Sequence, residues 1–153
     1  IMLFKIEVID QKAQPVLYIR TRTPMGDLPK IIGESYHKIY EYLKEMNEDP
    51  VDAPYTAYYS LDMNDLDVEM GFPVGRHLSE KYDIKSGELP RGRYVTCLYK
   101  GPYSQMEQPY NEIFRWIEEN GYEKTGVYYE YYFNSPTEVP ESELITRIAI
   151  PVK

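Results

Sequence analysis

Apolar positions along the chain follow two spacings. Over residues 28–46 they recur three and four apart, at Leu28, Ile31, Ile32, Tyr36, Ile39, Leu43 and Met46, which predicts an amphipathic helix. Asp27 stands at its N-cap position, Pro29 suits the first turn, and Asn47-Glu48-Asp49-Pro50 ends the run. A second stripe, Met106, Tyr110, Ile113, Phe114 and Ile117, predicts a helix starting near Ser104. There Ser-Gln-Met-Glu has the capping-box form with Glu107, and Asn120-Gly121 supplies the stop. Elsewhere short apolar or alternating runs predict strands at residues 3–8 and 15–21, 55–61, 67–73, 92–99, 127–133 and 144–152.

The order of elements recurs. A shift of 78 residues lays Pro24 on Pro102, Glu34 on Glu112, Tyr36 on Phe114, Ile39 on Ile117 and Pro73-Val74 on Pro151-Val152. It also matches Leu17 with Val95 and Ile32 with Tyr110. One fixed offset with one element order argues for an internal repeat. The repeats run over residues 3–74 and 91–152, within a single domain of residues 1–153. The connection, residues 75–90, is polar and contains "GRHLSEKYDIKSG", with glycine at each end. Each repeat reads β-α-β-β, so the fold class is α+β. Mostly antiparallel sheets result, with the helices packed on one side because each has a single apolar stripe. Two such repeats about a pseudo-twofold axis are expected to leave a ligand cleft between them. A ferredoxin-like βαββαβ fold would need fewer strands.

Composition narrows the function. At 153 residues the chain can bury a core without covalent staples. Its one cysteine, Cys97, excludes an intramolecular disulfide and reads as a small buried hydrophobe. The net charge of −8 weighs against a nucleic-acid surface and against anionic lipid, and it favours cationic ligands. No run approaches the ~20 apolar residues of a membrane span. The opening "IMLFKIEVIDQK" is too short and too charged for a secretory signal, so the expected location is cytoplasmic. His37 and His77 lack zinc-site spacing, "DMNDLDVE" lacks the glycine of a calcium loop, and no cofactor motif is present. Seventeen tyrosines stand against four phenylalanines. Tyrosine combines a flat apolar body with a polar tip, as a lined cleft or an interface requires.

Residues 127–134, "VYYEYYFN", place a carboxylate amid aromatics. Strand alternation puts Tyr128, Glu130 and Tyr132 on one face and Tyr129, Tyr131 and Phe133 on the other. A lone buried carboxylate is costly or takes up a proton, and a cationic ligand removes that difficulty. Glu69 is a second carboxylate, sharing a face of residues 67–73 with Asp67 and Gly71.

Several stretches together resemble the GyrI-like, or bacterial effector-binding, domain family. They are "DVEMGFPV" at 67–74, "YKGPYSQMEQPYNEIFRWIEENG" at 99–121, "YYEYYFNSP" at 128–136 and "ITRIAIPV" at 145–152. The family's E-x-Y-L-N-x-P strand is matched more loosely, with Phe133 in the leucine slot. Domains of this family occur alone and as sensors of multidrug-responsive regulators of the MerR and AraC types. The resemblance implies an aromatic cleft around a buried glutamate that binds bulky, flat or lipophilic compounds, often cations. The motif glutamate carries over to Glu130. Tyr55, Tyr59, Tyr103, Trp116, Tyr128 and Tyr132 are the candidate lining, with Glu69 as a second acid. Tyr36, Tyr40, Tyr110 and Phe114 are assigned to helix packing. The resemblance also implies two alternatives: a hydrolase of cyclopropane-bearing alkylating toxins, and a protein that shields DNA gyrase. In the hydrolase reading Glu130 is the general base and Glu69 a second choice. Binding ranks first, because it needs only the rings and one charge.

Overall fold

The computed structural model describes residues 4–153; Leu3, the expected start of the first strand, lies outside the described residues. The strands are β1 (Ile6–Gln11), β2 (Gln14–Thr23), β3 (Tyr55–Tyr58), β4 (Leu66–Pro73), β5 (Lys85–Leu89), β6 (Gly92–Lys100), β7 (Tyr128–Tyr132) and β8 (Ile145–Val152). The helices are α1 (Leu28–Glu45) and α2 (Glu107–Glu119). The chain divides into two compact units, residues 12–91 and residues 1–11 with 92–153. Each is α+β, with four antiparallel strands and one helix.

In the unit of residues 12–91 the strand order is β3-β4-β2-β5, with α1 on β2 and β4. In the other it is β1-β6-β8-β7, with α2 on β6. The repeat is therefore one strand longer than β-α-β-β. The polar connection holds β5, and β5 is the counterpart of β1 at the same 78-residue shift. The registers of β2 with β4 and β5 agree residue for residue with those of β6 with β8 and β1, whereas β3 and β7 depart from that shift, since Tyr55 faces Gly71 and Tyr129 faces Ala149. Val16 faces Pro73 as Tyr94 faces Pro151, and Leu17 faces Ser86 as Val95 faces Val8. The leading strand of each repeat joins the other repeat's unit. β1 continues into β2 across Lys12-Ala13 yet pairs with β6, and β5 continues into β6 across Pro90-Arg91 yet pairs with β2.

α1 starts at Leu28 with Asp27 at its N-cap position, as expected, but the capping of both helices differs from expectation. Each entry begins with an extended proline, Pro24 or Pro102, followed by a single 3-10 turn, Met25–Asp27 or Tyr103–Gln105. Asp27 already has helical φ and ψ (−94°, −5°), whereas a side-chain cap needs extended backbone, and it makes no cap bond. Ser104 lies inside the 3-10 turn, so α2 starts at Glu107 and no capping box forms. The exits follow the sequence. Gly121 (φ +75°) and Asn47 (φ +59°) take the left-handed position after each helix. The Tyr122 N–H donates to the Ile117 carbonyl and the Glu48 N–H to the Leu43 carbonyl, closing a Schellman motif at both ends.

The expected stripes build the cores. Ile39 and Leu43 of α1 pack on Leu17, Ile19 and Phe72, while Leu28 joins Val68 and Met70. Ile113 and Ile117 of α2, with Met106 just before it, pack on Val95, Cys97, Ile148 and Ile150. Burial pushes the Cys97 thiol up to about 11, as an inert core position requires. Among the described residues no helix is long and apolar enough to cross a membrane. Ile113 is fully buried at the centre of its stripe, so Ile113→Ala is expected to destabilise the protein by about 2–5 kcal/mol. Urea denaturation checks this against Arg115→Ala on the exposed face, expected to shift stability by no more than about 0.5 kcal/mol.

Candidate functional site

In the unit of residues 1–11 and 92–153, β7 pairs antiparallel with β8, Glu130 opposite Ile148 and Tyr132 opposite Thr146. Ile148 belongs to the core that α2 covers, and cross-strand partners share a face. Tyr128, Glu130 and Tyr132 therefore point toward α2. Glu130 is 9% exposed. The Tyr110 hydroxyl donates to its Oε2 at 2.5 Å and the Tyr132 hydroxyl to its Oε1 at 2.7 Å. Both carboxylate oxygens are thus bonded inside the protein, and among the described residues no basic side chain pairs with them. Burial raises the Glu130 pKa above the ordinary carboxylate value, and the two hydroxyl bonds, which favour the anion, pull part of the way back.

Rings extend from the carboxylate on both sides. Tyr110 packs on Phe114 (centroids 5.7 Å apart), and Phe114 on Tyr128 (5.5 Å). On the other side Tyr103 meets Tyr132 edge-on at 5.7 Å. Tyr103 is 41% exposed, and its phenol is raised by burial and by the Glu130 charge, so it stands within electrostatic reach of the carboxylate. The aromatic series thus runs Tyr128, Phe114, Tyr110, Glu130, Tyr132, Tyr103. The Lys124 ammonium lies 4.0 Å over the Phe114 ring at its edge.

The unit of residues 12–91 has its own buried glutamate. Glu69 is 6% exposed, taking the Tyr55 hydroxyl on Oε2 at 2.5 Å and the Tyr59 hydroxyl on Oε1 at 2.9 Å. Its face differs. Val68 and Met70 pack with α1, so Glu69 points away from that helix. It also has a cation close by. Arg20 is its partner across β2 and β4, and the guanidinium lies 3.9 Å over the Tyr59 ring. Asp67 holds that guanidinium with two bonds, Nε to Oδ1 at 3.0 Å and Nη2 to Oδ2 at 2.9 Å. The ion pair keeps the Asp67 carboxyl below its ordinary range.

Of the candidate lining, Tyr103, Tyr128 and Tyr132 gather with Glu130, and Tyr55 and Tyr59 with Glu69. Trp116 stands apart from both groups, stacked on Tyr122 at 6.0 Å with 14° between planes. Tyr110, assigned to packing, proves to hold the carboxylate. The signal was available: a tyrosine on a core-facing stripe needs a partner for its hydroxyl, and Glu130 lacked a donor. Thr146, in "ITRIAI", reads from the sequence only as a β-branched strand residue. Among the described residues no three His, Cys, Asp or Glu side chains converge as a metal site.

The GyrI-like family profile, described as a GyrI-like small molecule binding domain, matches residues 4–153. No curated protein matches the chain. Solved structures share its fold. EcmrR in its DNA complex superposes with TM-score 0.87 at 24% identity, over 100% of this chain and 59% of that one. This chain thus spans 59% of the EcmrR chain; the EcmrR C-terminal domain alone gives TM-score 0.78 at 22% identity, over 99% of each. A hydrolase from Listeria innocua matches with TM-score 0.75 at 14% identity, over 97% of this chain and 92% of that one. SAV2435 bound to tetraphenylphosphonium matches with TM-score 0.61 at 13% identity, over 99% and 94%. With the profile match spanning every described residue, the chain belongs to the family of GyrI-like small molecule binding domains.

Proposed function

We propose that this domain binds bulky aromatic or lipophilic cations, with Glu130 as the counter-charge and Tyr103, Tyr110, Tyr128 and Tyr132 as the surrounding rings. The observation that carries this reading is the buried Glu130 carboxylate, bonded by two neutral phenols and without a basic partner among the described residues. Phenols solvate the anion without neutralising it. Glu69 provides the contrast, because Arg20 already stands beside it. A cation brought to Glu130 supplies the missing charge, and each ring face it meets adds about 0.5–2 kcal/mol. The tetraphenylphosphonium in the SAV2435 structure is a ligand of this chemistry on the same fold. A general base needs a substrate proton within hydrogen-bond reach, and at Glu130 tyrosine hydroxyls already bond both carboxylate oxygens, at 2.5 and 2.7 Å. Binding is therefore the better-supported use of the site.

Glu130→Gln keeps the size of the side chain and removes its charge. Affinity for tetraphenylphosphonium is expected to fall about tenfold to hundredfold, or about 1.4–2.8 kcal/mol. Affinity for neutral triphenylphosphine oxide should change by less than about twofold. Isothermal titration of both compounds decides this, and equal losses would remove the charge from the explanation.

The raised Glu130 pKa has a definite sign in stability. Below the ordinary value of 4.5 the carboxyl is protonated both folded and unfolded. Between 4.5 and the folded value the native state holds more protons, so stability falls as pH rises through that window and levels off above it. Denaturation midpoints measured from pH 4.5 to 8 should show this decline, and Glu130→Gln should flatten it. Tetraphenylphosphonium selects the anion, so its affinity should rise with pH over the same window in the wild type alone.

A further inference from the structure

Thr146 carries a buried side-chain oxygen without a hydrogen-bond partner among the described residues. The residue is 0% exposed. Native proteins bond nearly all such groups, so an orphan calls for a specific explanation. Its position supplies one. Thr146 sits opposite Tyr132 in the pairing of β7 with β8, on the face turned toward α2. Side chains in that relation have Cβ atoms about 4.5–5.5 Å apart, and diagonal neighbours are about 7–8 Å apart. Glu130, opposite Ile148, is the diagonal neighbour. The hydroxyl of Tyr132 donates to Glu130, so its proton is committed elsewhere. A polar pair results, an anion bonded by two phenols and an unbonded hydroxyl one diagonal step away.

We propose that Thr146 is a ligand-reading residue of this site: its hydroxyl accepts an N–H from a flat cation whose charge Glu130 balances. The inference rests on the binding function proposed above and adds a preference within it. A hydroxyl offers two acceptor lone pairs and one donor, and the neighbouring carboxylate accepts only. A group serving both must therefore present donors. Protonated aromatic amines and amidinium-type cations do so. A phosphonium balances the charge but bonds nothing, and it leaves the hydroxyl orphaned. Discrimination of this kind is strong because a site built for a hydrogen bond penalises the ligand that lacks it. Thr146 is sealed in the free protein, so a covering side chain has to shift before a ligand reaches it. Tyr103, half-exposed on a three-residue turn with its ring against Tyr132, is placed for that movement.

The test compares proflavine, a flat cation rich in N–H groups, with tetraphenylphosphonium, which has none. Both are titrated into the wild type, Thr146→Val and Thr146→Ser. Thr146→Val is expected to weaken proflavine about tenfold, equivalent to about 1.4 kcal/mol, and to leave tetraphenylphosphonium within about twofold. Thr146→Ser, which keeps the hydroxyl, should retain most of the proflavine affinity. Urea denaturation of the free protein gives a second readout: Thr146→Val should raise the midpoint, because it removes an unbonded polar group. Unchanged proflavine binding in Thr146→Val, or equal losses for both cations, overturns the assignment while leaving the Glu130 reading intact. A lowered midpoint would mean that the hydroxyl is bonded in the free protein and overturns it as well. Failure of the wild type to bind either cation overturns both proposals.

Discussion

A carboxylate placed between a helix and a sheet has to be solvated by something other than water, and at Glu130 two tyrosine hydroxyls do this. Several structural conditions serve that arrangement. α2 must present Tyr110 from the same stripe that carries Ile113 and Ile117 into the core. β7 must keep its register with β8, since a slip of one residue would turn Glu130 to the other face. The phenols are neutral, so they stabilise the anion without cancelling its charge. An uncancelled charge lined by rings is what the proposed cation binding draws on.

The two units share a frame and differ in chemistry. The registers of β2 with β4 and β5 repeat at 78 residues in β6 with β8 and β1, the exchanged leading strands included, while β3 and β7 do not keep that shift. The carboxylates do not repeat. Tyr110 has Ile32 as its counterpart, so the first unit has no phenol at that place on its helix. There the helix-facing polar contact is Tyr36 with Thr56, two hydroxyl groups 2.8 Å apart. The first unit's glutamate lies instead on the face away from α1, with Arg20 beside it. One frame thus carries an acid that already has a basic neighbour and another solvated by phenols alone.

Membership of the GyrI-like family makes small-molecule binding the general activity of the domain. The solved relatives place the same fold in a protein bound to DNA, in one described as a hydrolase and in one holding a lipophilic cation. A fold so widely reused leaves selectivity to the side chains within it. In this chain the side chains on which the proposed selectivity rests are the phenol-held Glu130, the half-exposed Tyr103 and the unbonded Thr146 hydroxyl.

The sequence by itself determined the helices, their stripes, the repeat and the face on which Glu130 lies. Each of these is local or periodic, and periodicity is set by backbone geometry. It determined the helix exits for the same reason, since Asn47 and Gly121 tolerate the left-handed backbone that a Schellman motif requires. It placed the start of α1 at Leu28 after Asp27, but not the missing cap bond there or the later start of α2 beyond Ser104, because single 3-10 turns precede both helices. Those turns depend on how the chain leaves the preceding strand. Only the tertiary structure decided that β5 exists within a polar connection and that β1 and β5 change partners. A strand of mixed polarity is stabilised by its neighbour's ladder, which lies far away in sequence. It likewise decided that Tyr110 meets Glu130 and that Thr146 meets no partner. Hydrogen-bond satisfaction is a property of three-dimensional neighbours, and no spacing along the chain encodes it.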